Sequence, residues 1–225
     1  MTKERNFVIG DIHSHHDEMM ELFEMVNFDF DNDILISLGD LVDRGPDPIE
    51  VIETLMKIKN FIHILGNHDD WFFQYLLSNI QPSEWVAQGG QSTLNAYHNN
   101  PEYKERHLAF FQKASLYYID DQNRLFIHGG FNHRIPFSLQ RDDKERLIWD
   151  RALVHTAMEY EQYNQPIPHF DEIYVGHTPT QFIKESTPTK FSNLWMLDTG
   201  VYISGKLSIM NIETKEYWQT NSKGK

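Results

Sequence analysis

The sequence predicts an α/β (α+β) fold in which short buried strands alternate with amphipathic helices. In the first half, apolar runs of strand length alternate with stretches whose apolar residues recur at helical spacing. Such alternation is typical of βαβ units and a parallel sheet. Since no repeat, low-complexity tract or obvious linker interrupts the 225 residues, we expect a single domain spanning residues 1–225.

The first half supplies three predicted strands and two predicted helices. Asp47-Pro48 is typical of a helix start, because proline is favoured in the first turn. The apolar residues of both helices fall on one face of a 3.6-residue period. The strands are Phe7–Ile9, Asp33–Leu38 and Phe61–Leu65, and the helices cover 19–26 and 47–59.

The middle of the chain is interpreted as a helical layer or cap beside the sheet, and strands return in the second half. Few long helices separate the last three strands, which predicts a mixed or antiparallel sheet. The helices are Trp71–Ile80, Glu84–Tyr97 and Glu102–Leu116, and the strands are Leu125–His128, Glu172–Val175, Leu194–Leu197 and Lys206–Ile212.

Composition excludes several classes of function. The formal net charge of −13 and the absence of any Lys or Arg run disfavour nucleic acid and anionic membranes as partners. No cysteine is present, which excludes disulfides, thiolate metal ligands and a cysteine nucleophile. The first apolar run is too short for a signal peptide, and no stretch approaches membrane-spanning length, so we expect a soluble cytoplasmic protein.

Five short segments share one layout, in which an apolar run ends and polar residues follow at once. Glycine precedes the metal-type residue in four of the five and allows a sharp turn or a close backbone approach. Ligands bind beyond the carboxyl ends of strands in α/β folds, so these side chains are expected at one edge. The predicted metal ligands are Asp11, His13, Asp40, Asn67, His128 and His177.

These ligands predict a site for two divalent ions. Asp11 and His13 lie two residues apart on extended chain and point to the same side, so they can chelate one ion. Asp40 can bridge two ions through its two oxygens, and the other three ligands complete the second. Oxygen and imidazole donors suit manganese, the leading expectation, with iron or zinc as alternatives.

Two metals about 3.5–4 Å apart supply what phosphoester hydrolysis requires, because they neutralise phosphoryl charge and lower the pKa of a bound water to give hydroxide. His68, next to ligand Asn67, is the candidate general acid for the leaving group. Asp43 is the candidate partner that orients His68, and Arg44 offers a planar fork for phosphate oxygens.

These segments resemble the signature of the PPP-type metallophosphoesterases, and the length resembles the bacterial and bacteriophage (lambda phosphatase-like) serine/threonine protein phosphatases. The resemblance implies a calcineurin-like β-sandwich flanked by helices, with the active site at the C-terminal ends of strands. It also implies a second phosphate-binding arginine at Arg151, and Trp85–Thr93 resembles a segment of the bacterial members. The motifs are Gly10–His13, Gly39–Gly45, Gly66–Asp69, His128–Gly130 and Gly176–Thr178.

Two features of the motifs point to different substrates. Asp43 is typical of the phosphatases and favours phosphomonoesters, with phosphoserine and phosphothreonine in proteins as expected substrates. Asp69 resembles the symmetrical diadenosine tetraphosphate hydrolases and favours nucleotide anhydrides instead. The partner is then a phosphoprotein or a small phosphoester. A third hypothesis, a metal-binding scaffold without turnover, is disfavoured because every expected ligand and His68 are present.

Several nearby residues have a structural interpretation that outweighs a functional one. His15 and His16 are expected to line the start of a helix or the rim of the cleft. Asp198 ends a strand and is expected in a turn, although it could reach the site. The aromatic run from Trp71 to Tyr75 is interpreted as core packing.

Overall fold

The computed structural model describes residues 5–221, which form two mixed β-sheets with helices on their outer faces. The strands are β1 (Asn6–Ile9), β2 (Ile34–Ser37), β3 (Asn60–His63), β4 (Tyr117–Ile119), β5 (Arg124–Ile127), β6 (Glu172–Val175), β7 (Thr189–Phe191), β8 (Leu194–Met196), β9 (Ser208–Asn211) and β10 (Tyr217–Gln219). The helices are α1 (His16–Met25), α2 (Pro48–Leu55), α3 (Asn67–Ser78), α4 (Ser83–Trp85), α5 (Gln91–Asn99), α6 (Lys104–Phe111), α7 (Lys144–Trp149), α8 (Ala152–Gln162) and α9 (Val201–Ser204).

Both sheets are mixed: the first is antiparallel at its β10-β9 side and parallel from β1 to its other edge β3, and the second has a parallel centre with two antiparallel edge strands. The first has the order β10-β9-β1-β2-β3, and the second has the order β4-β5-β6-β8-β7. Strands β1, β2 and β3 are mutually parallel, as are β5, β6 and β8. Because parallel strands end at the same edge, six strand ends are available to deliver side chains to one place.

The core has three layers because strand side chains alternate between the two faces of each sheet. Val8 and Ile36 of the first sheet pack with Phe126 and Tyr174 of the second in a cluster between the sheets. Phe7, the neighbour of Val8, points the other way into the cluster beneath the helices of the first half. A third cluster packs α7 and α8 against the outer face of the second sheet. The sandwich flanked by helices is therefore confirmed.

Most predicted elements are present, with shifted ends. The predicted helix Glu84–Tyr97 is wrong as a single helix, because the chain kinks at Gly89, whose φ of 107° lies outside the helical region. The predicted strand Lys206–Ile212 forms as β9, but it joins the first sheet antiparallel to β1. Helices α7 and α8 and the edge strands β4, β7 and β10 were not predicted. Among the described residues, no helix is long and apolar enough to cross a membrane.

Candidate metal centre

The six predicted ligands come together where the parallel strands end. Each follows its strand within four residues, and all are fully or almost fully buried. Asp11 and His13 follow β1, Asp40 follows β2, and Asn67 begins α3 shortly after β3. His128 and His177 follow the central strands of the second sheet. The two sheets therefore contribute opposite halves of one cluster.

Asp40 lies at the centre of this cluster and faces both halves. Its Oδ1 is 3.4 Å from His128 Nε2, whereas its Oδ2 is 3.7 Å from His13 Nε2. Two groups of ligand atoms, each within 4.8 Å of one another, share this carboxylate. Those groups are Asp11, His13 and Asp40, and Asp40, His128 and His177.

Asn67 extends the second group, and Asp11 links the two sheets. The side-chain oxygen of Asn67 lies 3.0 Å from His128 Nε2, so the amide faces the second group. The Asp11 carboxylate accepts a hydrogen bond from the His177 backbone N–H at 3.0 Å, which joins the ends of β1 and β6.

Backbone carbonyls orient the three imidazoles. His13 Nδ1 lies 2.9 Å from the Val42 carbonyl, and His128 Nδ1 lies 2.7 Å from the Leu38 carbonyl. A carbonyl only accepts, so each Nδ1 carries a proton and each Nε2 is the ring nitrogen directed at the cluster. His177 is turned the other way, with Nε2 at 3.2 Å from the Trp149 carbonyl, which leaves Nδ1 for the cluster.

The electrostatics of the cluster fit a bound cation. Burial and the neighbouring carboxylates of Asp198 and Asp40 raise the pKa of Asp11 well above its ordinary value. Burial likewise raises the pKa of Asp198 to about 6. Burial, with His128 nearby, lowers the pKa of His177 to about 2, which keeps this imidazole neutral. Closely spaced buried carboxylates and unprotonated imidazole nitrogens are the donor set that a divalent ion stabilises.

Backbone conformation concentrates strain at the same place. Non-glycine residues with positive φ include His13 (44°), Asp40 (51°), Asp43 (73°), Arg44 (68°) and His177 (62°). Left-handed backbone is costly for such residues and clusters at functional sites. Two of the motif glycines permit close approach: a Cβ on Gly66 would lie 2.1 Å from Asp40 Oδ1, and one on Gly176 would lie 2.3 Å from Asp11 Oδ1.

His68 and Asp43 form a buried pair beside the cluster. His68 Nδ1 lies 2.6 Å from Asp43 Oδ2, and neither residue is more than 1% exposed. The Asp43 carboxylate also accepts from Trp85 Nε1 at 2.6 Å and from the Thr93 hydroxyl at 2.6 Å. The orientation of His68 is therefore fixed by a carboxylate that is itself held by two donors.

Arg44 and Arg151 reach the cluster from opposite sides. Arg44 Nη2 lies 2.9 Å from His68 Nε2, and Arg44 Nη1 lies 2.7 Å from His13 Nε2. Its Cζ lies 3.9 Å from the centre of the Tyr202 ring, so the aromatic ring covers one face of the guanidinium. Arg151 is exposed, with its Nε 3.1 Å from His177 Nε2.

Comparison with known proteins identifies the family. The sequence pattern of the calcineurin-like phosphoesterases matches residues 5–181, which include all six predicted ligands. The chain belongs to this family. It is therefore a hydrolase of the calcineurin-like phosphoesterase type, whose members use divalent metal ions.

Relatives of this calcineurin-like phosphoesterase carry two kinds of name. Serine/threonine-protein phosphatase 2 of Salmonella typhimurium is 24% identical over 215 residues, which is 92% of each chain. The asymmetrical bis(5'-nucleosyl)-tetraphosphatase PrpE of Anoxybacillus flavithermus is 28% identical over 236 residues, covering 93% of this chain and 91% of its own. A protein serine/threonine phosphatase structure from Saccharomyces cerevisiae has a TM-score of 0.64 at 13% identity, covering 99% of this chain and 81% of that one, which supports the fold.

Some neighbours of the phosphoesterase motifs lie outside the ligand cluster. His15 Nδ1 contacts the His13 carbonyl at 2.6 Å, and His16 Nε2 contacts the Thr54 hydroxyl at 3.0 Å, so both belong to the start of α1. Asp198 accepts the Gly200 N–H at 2.9 Å in a turn, as expected, and is also buried near Asp11.

Tyr202 was missed by the sequence analysis. It stands in the short helix α9, where a single aromatic residue carries no recognisable pattern. The only available signal was its position four residues after Asp198, where the chain leaves β8 for the edge that carries the ligands.

Proposed function

We propose that this calcineurin-like phosphoesterase is a dinuclear metal-dependent phosphatase that hydrolyses phosphomonoesters, with phosphoserine and phosphothreonine in proteins as its substrates. The observation that carries the proposal is the orientation of Asp40, whose two oxygens face two different groups of buried ligands. A bridging carboxylate between two ions is the arrangement that phosphoester hydrolysis uses.

In this proposal Asp11, His13 and Asp40 would hold the first ion. Asp40, Asn67, His128 and His177 would hold the second. Bound divalent ions, manganese before iron or zinc, would supply Lewis-acid neutralisation of the phosphoryl oxygens and a lowered pKa for the attacking water.

The remaining site residues bind the phosphate and move a proton. Arg44 and Arg151 are proposed to hold non-bridging phosphate oxygens, because their guanidinium groups border the ligands on two sides. His68 is proposed to donate a proton from Nε2 to the leaving oxygen, since its Nδ1 is occupied by Asp43. The Asp43 carboxylate holds the imidazole through Nδ1 and so fixes the direction in which Nε2 points.

Hydrolysis of dinucleoside tetraphosphates is the second candidate, because the tetraphosphatase PrpE of Anoxybacillus flavithermus matches 93% of the chain. Asp69, the residue that suggested this substrate, is fully buried. Its Oδ1 accepts from Leu41 N at 2.8 Å and its Oδ2 from Gly66 N at 3.1 Å. A carboxylate committed to two backbone amides does not face a substrate, so the phosphomonoester proposal takes precedence.

The proposal is tested on the purified enzyme supplemented with manganese. Phosphoserine and phosphothreonine peptides and diadenosine tetraphosphate are supplied separately, and released phosphate or nucleotide is measured. Turnover of the peptides with little cleavage of the dinucleotide is expected. Strong cleavage of the dinucleotide without peptide turnover would favour the second candidate, and inactivity on both and on p-nitrophenyl phosphate with several metals would favour a scaffold.

The same proposal places the activity in a single domain of residues 1–225 in the cytoplasm. A chain with no cysteine suits a reducing compartment. Neither nucleic acid nor a membrane is proposed as a partner, given the formal net charge of −13.

A further inference from the structure

Residues 85–93, here called the backing segment, run behind the turn that carries Asp43 and Arg44. The segment begins at the end of α4, kinks at Gly89 and continues into α5. It contacts both Asp43 and Arg44 through separate residues, so one stretch of chain touches the two neighbouring groups that the proposed function uses.

Trp85 and Thr93 hold the Asp43 end of the turn. The Trp85 indole N–H donates to Asp43 Oδ2 at 2.6 Å, on the oxygen that also receives His68 Nδ1. The Thr93 hydroxyl donates to Asp43 Oδ1 at 2.6 Å and accepts the Asp43 backbone N–H at 3.0 Å. Trp85, Thr93 and Asp43 are all fully buried, so water does not replace these contacts.

Gln88 and Gly89 hold the Arg44 end. The Arg44 backbone N–H donates to the Gly89 carbonyl at 3.1 Å, and its Nε donates to the Gln88 carbonyl at 3.3 Å. Gly89 has a φ of 107°, and a Cβ added there would lie 2.6 Å from Arg44 Cγ. Glycine is thus required at this position both by its backbone conformation and by the space that Arg44 occupies.

The turn between these contacts is strained. Asp43 and Arg44 are consecutive non-glycine residues with φ of 73° and 68°. Non-glycine residues keep a left-handed backbone conformation only when surrounding contacts hold them in it. Both of their backbone N–H groups donate to the backing segment, which therefore supplies that constraint.

We propose that the backing segment is the positioning element of the site, in which Trp85 and Thr93 orient the Asp43–His68 pair and Gly89 sets the position of Arg44. This inference rests on the proposed phosphatase function. The two ends then control different steps: the Trp85 and Thr93 end controls protonation of the leaving group, and the Gly89 end controls phosphate binding.

The leaving group separates a positioning role from a merely structural one. An alkoxide, such as the serine side chain of a phosphopeptide, needs a proton as it leaves, whereas nitrophenolate leaves readily without one. A misoriented Asp43–His68 pair therefore lowers turnover of a phosphoserine peptide more than turnover of p-nitrophenyl phosphate. A general loss of folded protein lowers both equally.

The experiment compares kcat and KM of the manganese-supplemented wild type, Thr93→Val and Thr93→Ser on these two esters. Thr93→Val removes both hydroxyl contacts at nearly constant volume. We expect kcat on the phosphopeptide to fall at least about tenfold more than kcat on p-nitrophenyl phosphate, because a misoriented general acid loses part of its usual contribution to the rate. Thr93→Ser keeps the hydroxyl and restores the wild-type ratio. Thr54→Val, which removes a buried hydroxyl that bonds His16, is the matched control and leaves the ratio unchanged.

Two further variants keep the inference testable if Thr93→Val folds poorly. Trp85→Phe removes only the indole N–H and is expected to change the ratio in the same direction. Gly89→Ala is expected to raise KM on both esters without changing the ratio. Metal content by elemental analysis should equal that of the wild type in every variant.

An active wild type whose ratio is unchanged in both Thr93→Val and Trp85→Phe would overturn the inference and leave the proposed function standing. An inactive wild type on both esters would overturn the proposed function and the inference with it. A loss in Thr93→Val that Thr93→Ser does not restore would also refute the positioning role.

Discussion

The contact between Tyr202 and Arg44 predicts that the ring, and not the hydroxyl, supports phosphate binding. Arg44 Cζ lies 3.9 Å from the ring centre, and His13 meets the same ring edge-on at 5.2 Å. Burial raises the pKa of Tyr202, so the phenol stays uncharged at neutral pH and acts through its π face. Removing the ring frees a guanidinium that has to be held in one orientation to bind two phosphate oxygens.

The size of the effect follows from the geometry. A cation–π contact is worth about 0.5–1 kcal/mol when exposed and about 2 kcal/mol when desolvated, and Tyr202 is half-buried. At about 1.4 kcal/mol for each factor of ten, Tyr202→Leu should weaken substrate binding by about 2- to 30-fold. The loss should occur in KM, because the proposed contact between Arg44 and the phosphate would be made in the ground state as well as in the transition state.

Tyr202→Phe is the matched control, since it keeps the ring and removes only the hydroxyl. Steady-state kinetics on p-nitrophenyl phosphate should give a KM within about twofold of the wild type for Phe and a raised KM for Leu. Equal losses in both variants would assign the effect to the hydroxyl and refute the argument. A wild-type KM in Tyr202→Leu would show that the stacked ring does not hold Arg44.

Three other variants test separate parts of the molecule. Asp40→Ala should lose bound metal by elemental analysis, and retention of two ions would contradict the bridging assignment. His68→Ala should keep its metal and lose about 10²- to 10⁴-fold in kcat on phosphopeptide, the usual contribution of a general acid. His107 accepts from the Tyr97 hydroxyl and donates to Glu53 at 2.7 Å, and burial lowers its pKa. Below about pH 6.5 the unfolded chain therefore binds a proton at this histidine that the folded chain does not, so the free energy of unfolding falls as the pH is lowered. Urea unfolding at several pH values should show a smaller fall for His107→Gln than for the wild type. Equal dependence on pH in the two proteins would refute this account.

That the six predicted ligands come together could be predicted because the information is local. Asp11, Asp40 and His177 each stand beside a glycine directly after an apolar run, so the sequence specifies both the strand and its end. The close approach that the glycines permit, such as that of Gly176 to Asp11, is a consequence of the same local pattern.

Features that depend on distant contacts were not predictable. The strand at 206–212 has the same apolar character whichever sheet it joins, and its pairing with β1 is decided by the packing of the whole chain. Helices α7 and α8 were missed because Asp150 and Arg151 interrupt the apolar period between them. The kink at Gly89 could not be predicted because the residues around it have a helical pattern. What requires the kink is the distant residue Arg44, which packs against Gly89.

Asp69 shows why a motif residue does not have to report on the substrate. Its carboxylate accepts hydrogen bonds from the Leu41 amide, next to Asp40, and from the Gly66 amide at the start of α3. A glutamate at this position would have a side chain one methylene longer between the same two backbone amides. The loops that carry Leu41 and Gly66 would have to move apart to accommodate it. We expect selection among phosphate substrates to depend on groups beside the cluster, such as Arg151, which contacts His177, and Tyr202, which contacts Arg44 and His13.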